Sequence, residues 1–339
     1  MNGMADSGIL RIVAISLATL LIGLPAAWAA LALWYQIPGN QFVKVTAATL
    51  WLMFSVGMIF ALWNGRATAG IAAFALAFAA LLLWWHRIPP TNERPWSDDV
   101  AQMTSGRIDG NLVTLSSVRN FIWRSNTDYT QRWESRVYDL DKLRSVDMIM
   151  SHWTGPAIAH MLMSFGFEDG GYVVFSVEVR RLKTGNYSEL GGFFKQFELS
   201  IIAADERDVV RVRTNVRGED AYLYRLHMPL TAIRSLFLGY IDEANSLIEA
   251  PRFYNTVTAN CTTLVYHMMN RIVGHLPLNY RILLDGYLPG YVYEVGGLDN
   301  RYTLEQLREL GSISQRARQS GDSANFSADI RAGIPALPP

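Results

Sequence analysis

Long apolar runs fill the first quarter of the chain, and mixed polar and apolar patterns follow them. The runs extend roughly from Ile9 to Leu33, from Val43 to Trp63 and from Ala67 to Trp85. Each has close to the ~20 residues that cross a ~30 Å hydrocarbon core as an α-helix. Tryptophan and tyrosine lie near their ends, where amphipathic rings favour the membrane interface. The pattern predicts a membrane anchor over residues 1–87 with three transmembrane helices.

The charges beside these runs suggest an orientation. The connection between the second and third runs contains Arg66, and Arg11 lies near the start of the first. Because cytoplasmic connections are enriched in basic residues, we predict a cytoplasmic N-terminus and a multi-pass protein of the inner membrane. The chain after Trp85 then lies on the periplasmic, extracytoplasmic side. Cleavage of the first run as a signal peptide is disfavoured, since two more spans follow it.

A proline-rich linker over residues 88–97 ends the third run, and the periodicity then changes. Alternating apolar and polar residues predict a β-hairpin whose strands, 159–167 and 172–181, flank a glycine-rich turn. Further strand-like runs surround it, including 197–203 and 209–214. This half of the soluble region is therefore predicted to be rich in strands.

Helical spacing replaces alternation later in the chain. Apolar residues recur at helical spacing after Pro229 and again after Asn260, which predicts two helices. We assign the folded domain to residues 98–310 and predict an α+β class, with helices packed against an antiparallel sheet. Residues 311–339 have little periodicity, so we predict an extended C-terminal tail.

Composition narrows the chemistry. The 339 residues carry 30 Lys and Arg against 30 Asp and Glu, so the net charge is zero and we expect no nucleic-acid partner. A single cysteine, Cys261, excludes an intrachain disulfide and any multi-cysteine metal site. His152 and His160 with Glu178 form no compact metal-ligand motif. We therefore predict neither a metal nor another cofactor.

The surroundings of Cys261 favour a position in the first turn of a helix. Polar residues that cap helices, ending with Asn260, precede it, and a periodic apolar run follows. Unpaired N–H groups and the helix dipole at that position favour an anion, so we expect a lowered thiol pKa and a nucleophilic thiolate. A buried structural cysteine fits the same pattern, and both interpretations stay open.

A thiolate nucleophile needs a base, and the hairpin offers His160. A simple register pairs His160 with Arg180 and Ser164 with Ser176, which puts Ser176, Glu178 and Arg180 on the sheet face of the histidine. A hydroxyl or carboxylate beside the imidazole would fix its tautomer. For Glu178 and Arg180, a cross-strand ion pair on a solvated face is the alternative.

Four segments together resemble the Lnb N-terminal periplasmic domain family, over about Pro95 to Arg331. The segments are Asp147–Trp153, Ala159–Phe167, Ser176–Arg180 and Asn260–Thr263. Members include lipoprotein N-acyltransferases, which move the sn-2 acyl chain of a diacylglyceryl lipoprotein onto the amine of its N-terminal cysteine. The order of a histidine strand before a cysteine helix is also similar to the permuted papain-like fold of lecithin:retinol acyltransferase relatives.

These resemblances imply roles for particular residues. Cys261 would carry the acyl group as a thioester, and His160 would act first as base and then as acid. Glu178 or Ser176 would orient the imidazole, and backbone N–H groups at the helix start would hold an oxyanion. The supporting set is Ser164, Arg180, Asn260 and Thr262.

Three functions follow from the sequence. The first is a membrane-anchored, cysteine-dependent acyltransferase or lipid hydrolase acting on a membrane lipid or lipoprotein. The second, a papain-like cell-wall peptidase or amidase, would use the same residues. In the third, a non-enzymatic envelope protein, Cys261 only packs. An apolar cleft would favour the first function over the second, and thiol reactivity would test the third.

Overall fold

The computed structural model describes residues 2–185 and 187–336, which form two compact units. One unit runs to Pro90 and also contains Ser188–Gln196; the other contains Thr91–Tyr187 and the chain from Phe197 onward. The first unit is built from helices α1 (Asn2–Gln36), α2 (Gln41–Trp63) and α3 (Ala67–His86). Within them, Ile9–Gln36, Gln41–Trp63 and Ala67–His86 are long and apolar enough to cross a membrane, which confirms the three predicted apolar helices.

The second unit is centred on a sheet that is antiparallel except for one pairing. Among the described residues, eight strands form it in the order β1-β2-β9-β8-β7-β6-β10, with β5 also paired to β2. The exception is the short parallel contact of β2 with β9. The strands are β1 (Ser105–Asp109), β2 (Leu112–Arg119), β5 (Trp133–Asp139), β6 (Leu143–Thr154), β7 (Ile158–Phe167), β8 (Tyr172–Arg180), β9 (Glu198–Ala204) and β10 (Asp220–Arg225), while β3 (Ile122–Trp123) and β4 (Tyr129–Thr130) form a separate pair.

Helices cover both faces of this sheet. On one face, Met161, Phe165 and Phe175 pack with two amphipathic helices, α5 (Leu230–Glu249) and α6 (Cys261–Val273). On the other face, Leu162, Val174 and Ile202 pack with residues of shorter helices. Those helices are α4 (Glu206–Arg211), α9 (Ser314–Ser320) and α10 (Phe326–Asp329), and α7 (Leu288–Glu294) and α8 (Leu304–Gly311) complete the set. The α+β class and the two helices predicted after Pro229 and Asn260 are confirmed.

The predicted hairpin exists, but its register differs by two residues. Leu162 pairs with Ser176, whereas the simple register paired Ser164 with Ser176 and His160 with Arg180. The turn after Phe167 is shorter than the simple register assumed. Gly170 adopts a left-handed φ of 81°, and its N–H donates to the carbonyl oxygen of Phe167. A shift of two keeps each side chain on its face, since side chains alternate with a period of two.

Two local predictions were wrong. Residues 209–214, predicted as a strand from their valines, lie in α4 and a following π-helix, Val212–Val216. The Asp205 carboxylate caps the N–H of Arg207 and so starts a helix there. The segment after Gly311 is not extended, because α9 and α10 bury apolar side chains against the sheet. Those side chains are Ile313, Ala317, Phe326 and Ile330.

Candidate active site

Helix α6 begins at Cys261 because Asn260 caps it. The Asn260 Oδ1 accepts the N–H of Thr262 at 3.0 Å and of Thr263 at 2.8 Å. In return, the Thr263 hydroxyl oxygen accepts the Asn260 N–H at 2.9 Å, which completes a capping box. The prediction of Cys261 in the first helical turn is confirmed, and the local cap is its physical cause.

The Cys261 thiol is buried and polar contacts surround it. Only 6% of the residue is exposed. The thiol lies 3.8 Å from Asp285 Oδ2 and 3.8 Å from Thr262 Oγ1, and the backbone N–H of Met161 points toward the sulfur. Burial and, to a smaller extent, the negative charge of Asp285 together raise the pKa of the Cys261 thiol to about 12. The expected lowering of this pKa is therefore wrong, because burial outweighs the helix N-terminus.

His160 forms a short relay with Ser176 and Glu178 on one sheet face. Its Nε2 is 2.7 Å from Ser176 Oγ, which donates to Glu178 Oε1 at 2.6 Å. The same Nε2 lies 3.4 Å from Glu178 Oε1. The three residues come together because they stand on neighbouring strands, β7 and β8, at positions of the same parity. A hydroxyl and a carboxylate on Nε2 leave Nδ1 as the nitrogen available for proton transfer.

Glu178 is held as an anion by a wider polar network. Burial alone would raise its pKa, but the charge and hydrogen bond of His160, the charge of Arg213 and the Ser176 hydroxyl hold that pKa well below its usual range. Arg213 Nη2 lies 3.7 Å from Glu178, and its Nη1 lies 3.2 Å from Glu219. Sequence reasoning missed Arg213, because residues 209–214 read as a strand.

Asp285 is a second residue that the sequence did not reveal. Its Oδ1 accepts the N–H of Ala159 at 2.9 Å, while Oδ2 faces the Cys261 thiol, so it links the residue before His160 to the cysteine. Burial raises the pKa of Asp285. The next residue must be glycine, since a Cβ on Gly286 would lie 2.1 Å from the carbonyl oxygen of Pro156. That Asp-Gly pair in a turn was the available signal.

The thiol and the imidazole both border strand β7, but they do not touch. In the described parts of the chain, no hydrogen bond joins the Cys261 sulfur to His160. The link between them is Met161, whose backbone N–H faces the sulfur and which follows His160 in the chain. Catalytic hydrogen bonds are often long in enzymes without substrate.

Two residues of the predicted supporting set belong to other networks. Ser164 donates to Glu206 at 2.5 Å. Arg180 donates to the carbonyl oxygens of Val100 and Ala101, and burial lowers its pKa to about 10. The alternative of a cross-strand ion pair on a solvated face is also wrong, because Arg180 is buried and the cation facing Glu178 is Arg213 of the π-helix.

An apolar cavity of about 220 Å³ opens beside the start of α6. Its wall includes Thr262, which follows Cys261, and Met161, which follows His160. The rest of the wall is mostly aliphatic, aromatic and methionine side chains, among them Met148, Met163, Val265, Tyr266, Met269 and Leu288. Flexible methionines suit a wall that must adapt to an apolar ligand. Across the described residues, no group of three His, Cys, Asp or Glu side chains is arranged to hold a metal ion.

Comparison with protein families bears on the segment that contains this site. No curated protein and no solved structure matches the chain. Residues 129–286 match the model of the Lnb N-terminal periplasmic domain family, a narrower range than the predicted Pro95 to Arg331. The matched range includes His160, Glu178, Cys261 and, near its end, Asp285. Over this segment the chain is similar to the Lnb N-terminal periplasmic domain family, and the three helices able to span a membrane precede the segment in the sequence.

Proposed function

We propose that this protein is a membrane-anchored, cysteine-dependent acyltransferase that moves an acyl chain from a lipid or lipoprotein through a thioester on Cys261. The observation that carries the proposal is the position of the only thiol in the chain. It lies at the capped start of α6 beside an apolar cavity, and it faces the backbone N–H of Met161, the residue after His160, whose imidazole is held by Ser176 and Glu178. The proposed nucleophile, base and acyl site are thus each held in place by different residues.

The proposed reaction begins with the protonated thiol. His160 accepts the Cys261 proton, and the sulfur attacks the carbonyl carbon of the donor ester. The ester C–O bond then breaks, the imidazolium protonates the departing alkoxide, and the acyl group remains as a thioester. An acceptor amine next loses a proton to His160 and attacks the thioester carbonyl. The C–S bond breaks, and the sulfur regains its proton.

Glu178 and the start of α6 would support this chemistry. The Glu178 carboxylate, kept ionised by Arg213, stabilises the imidazolium that forms in both halves of the reaction. The N–H groups of Thr262 and Thr263 are engaged by Asn260. The backbone N–H of Cys261 is therefore the first-turn donor that we assign to the oxyanion.

The cavity favours an acyl chain over a peptide. Its wall is aliphatic, aromatic and sulfur-containing, whereas a peptide groove needs donors and acceptors for backbone amides. The three apolar helices support a membrane substrate, since a tethered domain meets lipids at high effective concentration. We place the protein in the inner membrane as a multi-pass protein, with the domain on the periplasmic side.

Mass spectrometry of lipoprotein N-termini tests the proposal. Cells that contain the Cys261→Ala variant as their only copy should lose the acyl transfer product, and the purified wild type should gain an acyl mass that hydroxylamine removes. Ser235→Ala, which changes an exposed hydroxyl on α5, is the matched control and should behave as wild type. Transfer that persists in Cys261→Ala would refute the thioester mechanism.

One observation favours a non-enzymatic function instead. The thiol is 6% exposed, its pKa is raised to about 12, and it packs in the main core of the sheet domain. A purely structural cysteine predicts that iodoacetamide reacts with the folded protein no faster than global unfolding allows. A proposed nucleophile predicts faster reaction, and substrate lipid should protect the thiol.

A further inference from the structure

The connection between β8 and β9 packs with the apolar helices rather than with the sheet. Residues Ser188–Gln196, called here the β8–β9 loop, belong to the same compact unit as α1, α2 and α3. The chain leaves the sheet unit after Tyr187 and returns to it at Phe197. The loop is joined to the sheet unit at both of its ends, so it adds two covalent connections between the units to the one at Pro90.

Aromatic packing holds this loop at the ends of two helices. Phe194 is 5% exposed and stacks on Tyr35 of α1 with ring centroids 5.4 Å apart and an angle of 12°. It meets Trp85 of α3 edge to face at 6.3 Å. The side chain of Gln36 donates to the Phe194 carbonyl oxygen at 2.6 Å. Both helices end here, so the loop covers one end of the helical unit.

A lysine adds a polar contact of the kind found at membrane interfaces. Lys195 Nζ donates to the carbonyl oxygen of Trp85 at 2.7 Å and lies 4.9 Å from the centre of its ring. That carbonyl is one of the last in α3, and it also accepts the N–H of Ile88 at 3.4 Å. The Gln196 side chain packs directly on Gly191, where a Cβ would lie 1.7 Å from Gln196 Oε1. The geometry is thus specified by several residues of the loop.

Helix geometry gives the level of the loop relative to a bilayer. Helix α3 has 20 residues, so it is ~30 Å long, the thickness of a hydrocarbon core. Trp85 is its penultimate residue and therefore lies at the boundary between hydrocarbon and headgroups. Phe194 also contacts Trp28, at 6.3 Å, which is ~10 Å further along α1 than Tyr35. The ring of Phe194 thus reaches the hydrocarbon side of that boundary.

We propose that the β8–β9 loop is embedded in the membrane–water interface on the periplasmic side of the inner membrane, with Leu190 and Phe193 in contact with lipid. Leu190 is 57% exposed and Phe193 is 41% exposed, next to a ring of Trp, Tyr and Lys side chains that suits headgroups. A lipid surface is favoured over a second protein copy, because the loop continues the apolar surface of helices able to span a membrane. The inference rests on the proposed membrane spans, but not on thiol chemistry.

The embedded loop has a consequence for the sheet. Strand β8 carries Ser176 and Glu178 and leads into the loop within ten residues of Glu178. The strand that supports the proposed base is thus covalently joined to the loop by a short segment of chain.

Spin labels in nanodiscs of phosphatidylethanolamine and phosphatidylglycerol test this. Full-length Cys261→Ala protein has no cysteine, so Leu190→Cys and Phe193→Cys each give one labelling site. Asp169→Cys, in the turn at the other end of β8, is the aqueous control, and Leu21→Cys, 73% exposed in α1, is the lipid reference. Collisions with oxygen and with a water-soluble nickel chelate are measured at each site.

We expect labels at positions 190 and 193 to collide more with oxygen than with the nickel chelate, as the label at position 21 does. The label at position 169 should show the reverse. Chelate access at 193 equal to that at 169, with 21 still in lipid, would overturn the loop proposal and leave the anchor standing. Low access of both reagents at 193 would mean that protein covers the loop, which also overturns it. Chelate access at 21 would instead refute the membrane spans.

Discussion

The charge of Asp285 should control the reactivity of Cys261, and removing it should accelerate alkylation of the thiol. Asp285 Oδ2 is 3.8 Å from the sulfur, and the carboxylate raises the thiol pKa. Asp285→Asn keeps the oxygen that accepts the Ala159 N–H but removes the negative charge. The thiolate then forms more easily.

The magnitude follows from the distance. Two unit charges ~4 Å apart interact by about 4 kcal/mol at an effective dielectric constant of ~20, which is an upper bound for this half-buried carboxylate. Even a third of that, about 1.4 kcal/mol, corresponds to a tenfold change in an equilibrium constant. We therefore expect Asp285→Asn to raise the fraction of thiolate, and the rate of iodoacetamide reaction, by about tenfold at pH 8.

The assay is direct, because Cys261 is the only cysteine. The alkylation rate is followed by intact mass from pH 6 to pH 10 for wild type, Asp285→Asn and the exposed-turn control Asp169→Asn. The difference between the rates of wild type and Asp285→Asn should shrink as the pH falls through the raised pKa of Asp285, because its carboxyl then loses its charge. An unchanged or slower rate in Asp285→Asn, with folding intact by circular dichroism, would refute the electrostatic coupling.

Three further predictions concern pH, capping and the C-terminal segment. Glu178 has a pKa that is lower in the folded than in the unfolded state, so its contribution to stability is full above the unfolded pKa and is lost as the pH falls through the folded one. Thermal melts of Glu178→Gln should therefore depend less on pH below about 4.5 than wild-type melts, and equal slopes would contradict this. Asn260→Ala should cost about 0.5–2 kcal/mol by urea denaturation and lower turnover, whereas Asn260→Asp, which retains the cap, should cost less. Arg331→Met leaves the buried carboxylates of Asp147 and Glu206 without this partner, so we expect a loss of about 3–5 kcal/mol; a loss below 1 kcal/mol would mean that the C-terminal segment is not part of the cooperative unit.

Features that depend on neighbouring residues in the chain were predictable. The three apolar helices follow from length and hydropathy, and the start of α6 follows from Asn260 and the apolar spacing after it. The shared face of His160, Ser176 and Glu178 was also predicted, even though the register was wrong by two residues. Parity along a strand survives such a shift, because side chains alternate.

Features that depend on distant residues were not predictable from local pattern. Arg213 reaches Glu178 from a π-helix whose valines resemble a strand, and Asp285 reaches the thiol from a turn. The same holds for the β8–β9 loop, which packs on helices more than 100 residues earlier in the chain. These contacts join elements that are far apart in the sequence, so the local pattern of apolar and polar residues does not predict them.

The sequence by itself determined the three apolar helices, the α+β class, the helix start at the lone cysteine and the histidine strand, because each is specified by local periodicity or by a cap. Only the tertiary structure decided the state of the thiol. Burial in the main core and the approach of Asp285 raise the pKa of Cys261 to about 12, against the lowering expected at a helix N-terminus. The physical reason is that desolvation depends on everything packed around an atom, whereas the helix dipole depends only on the residues that follow it.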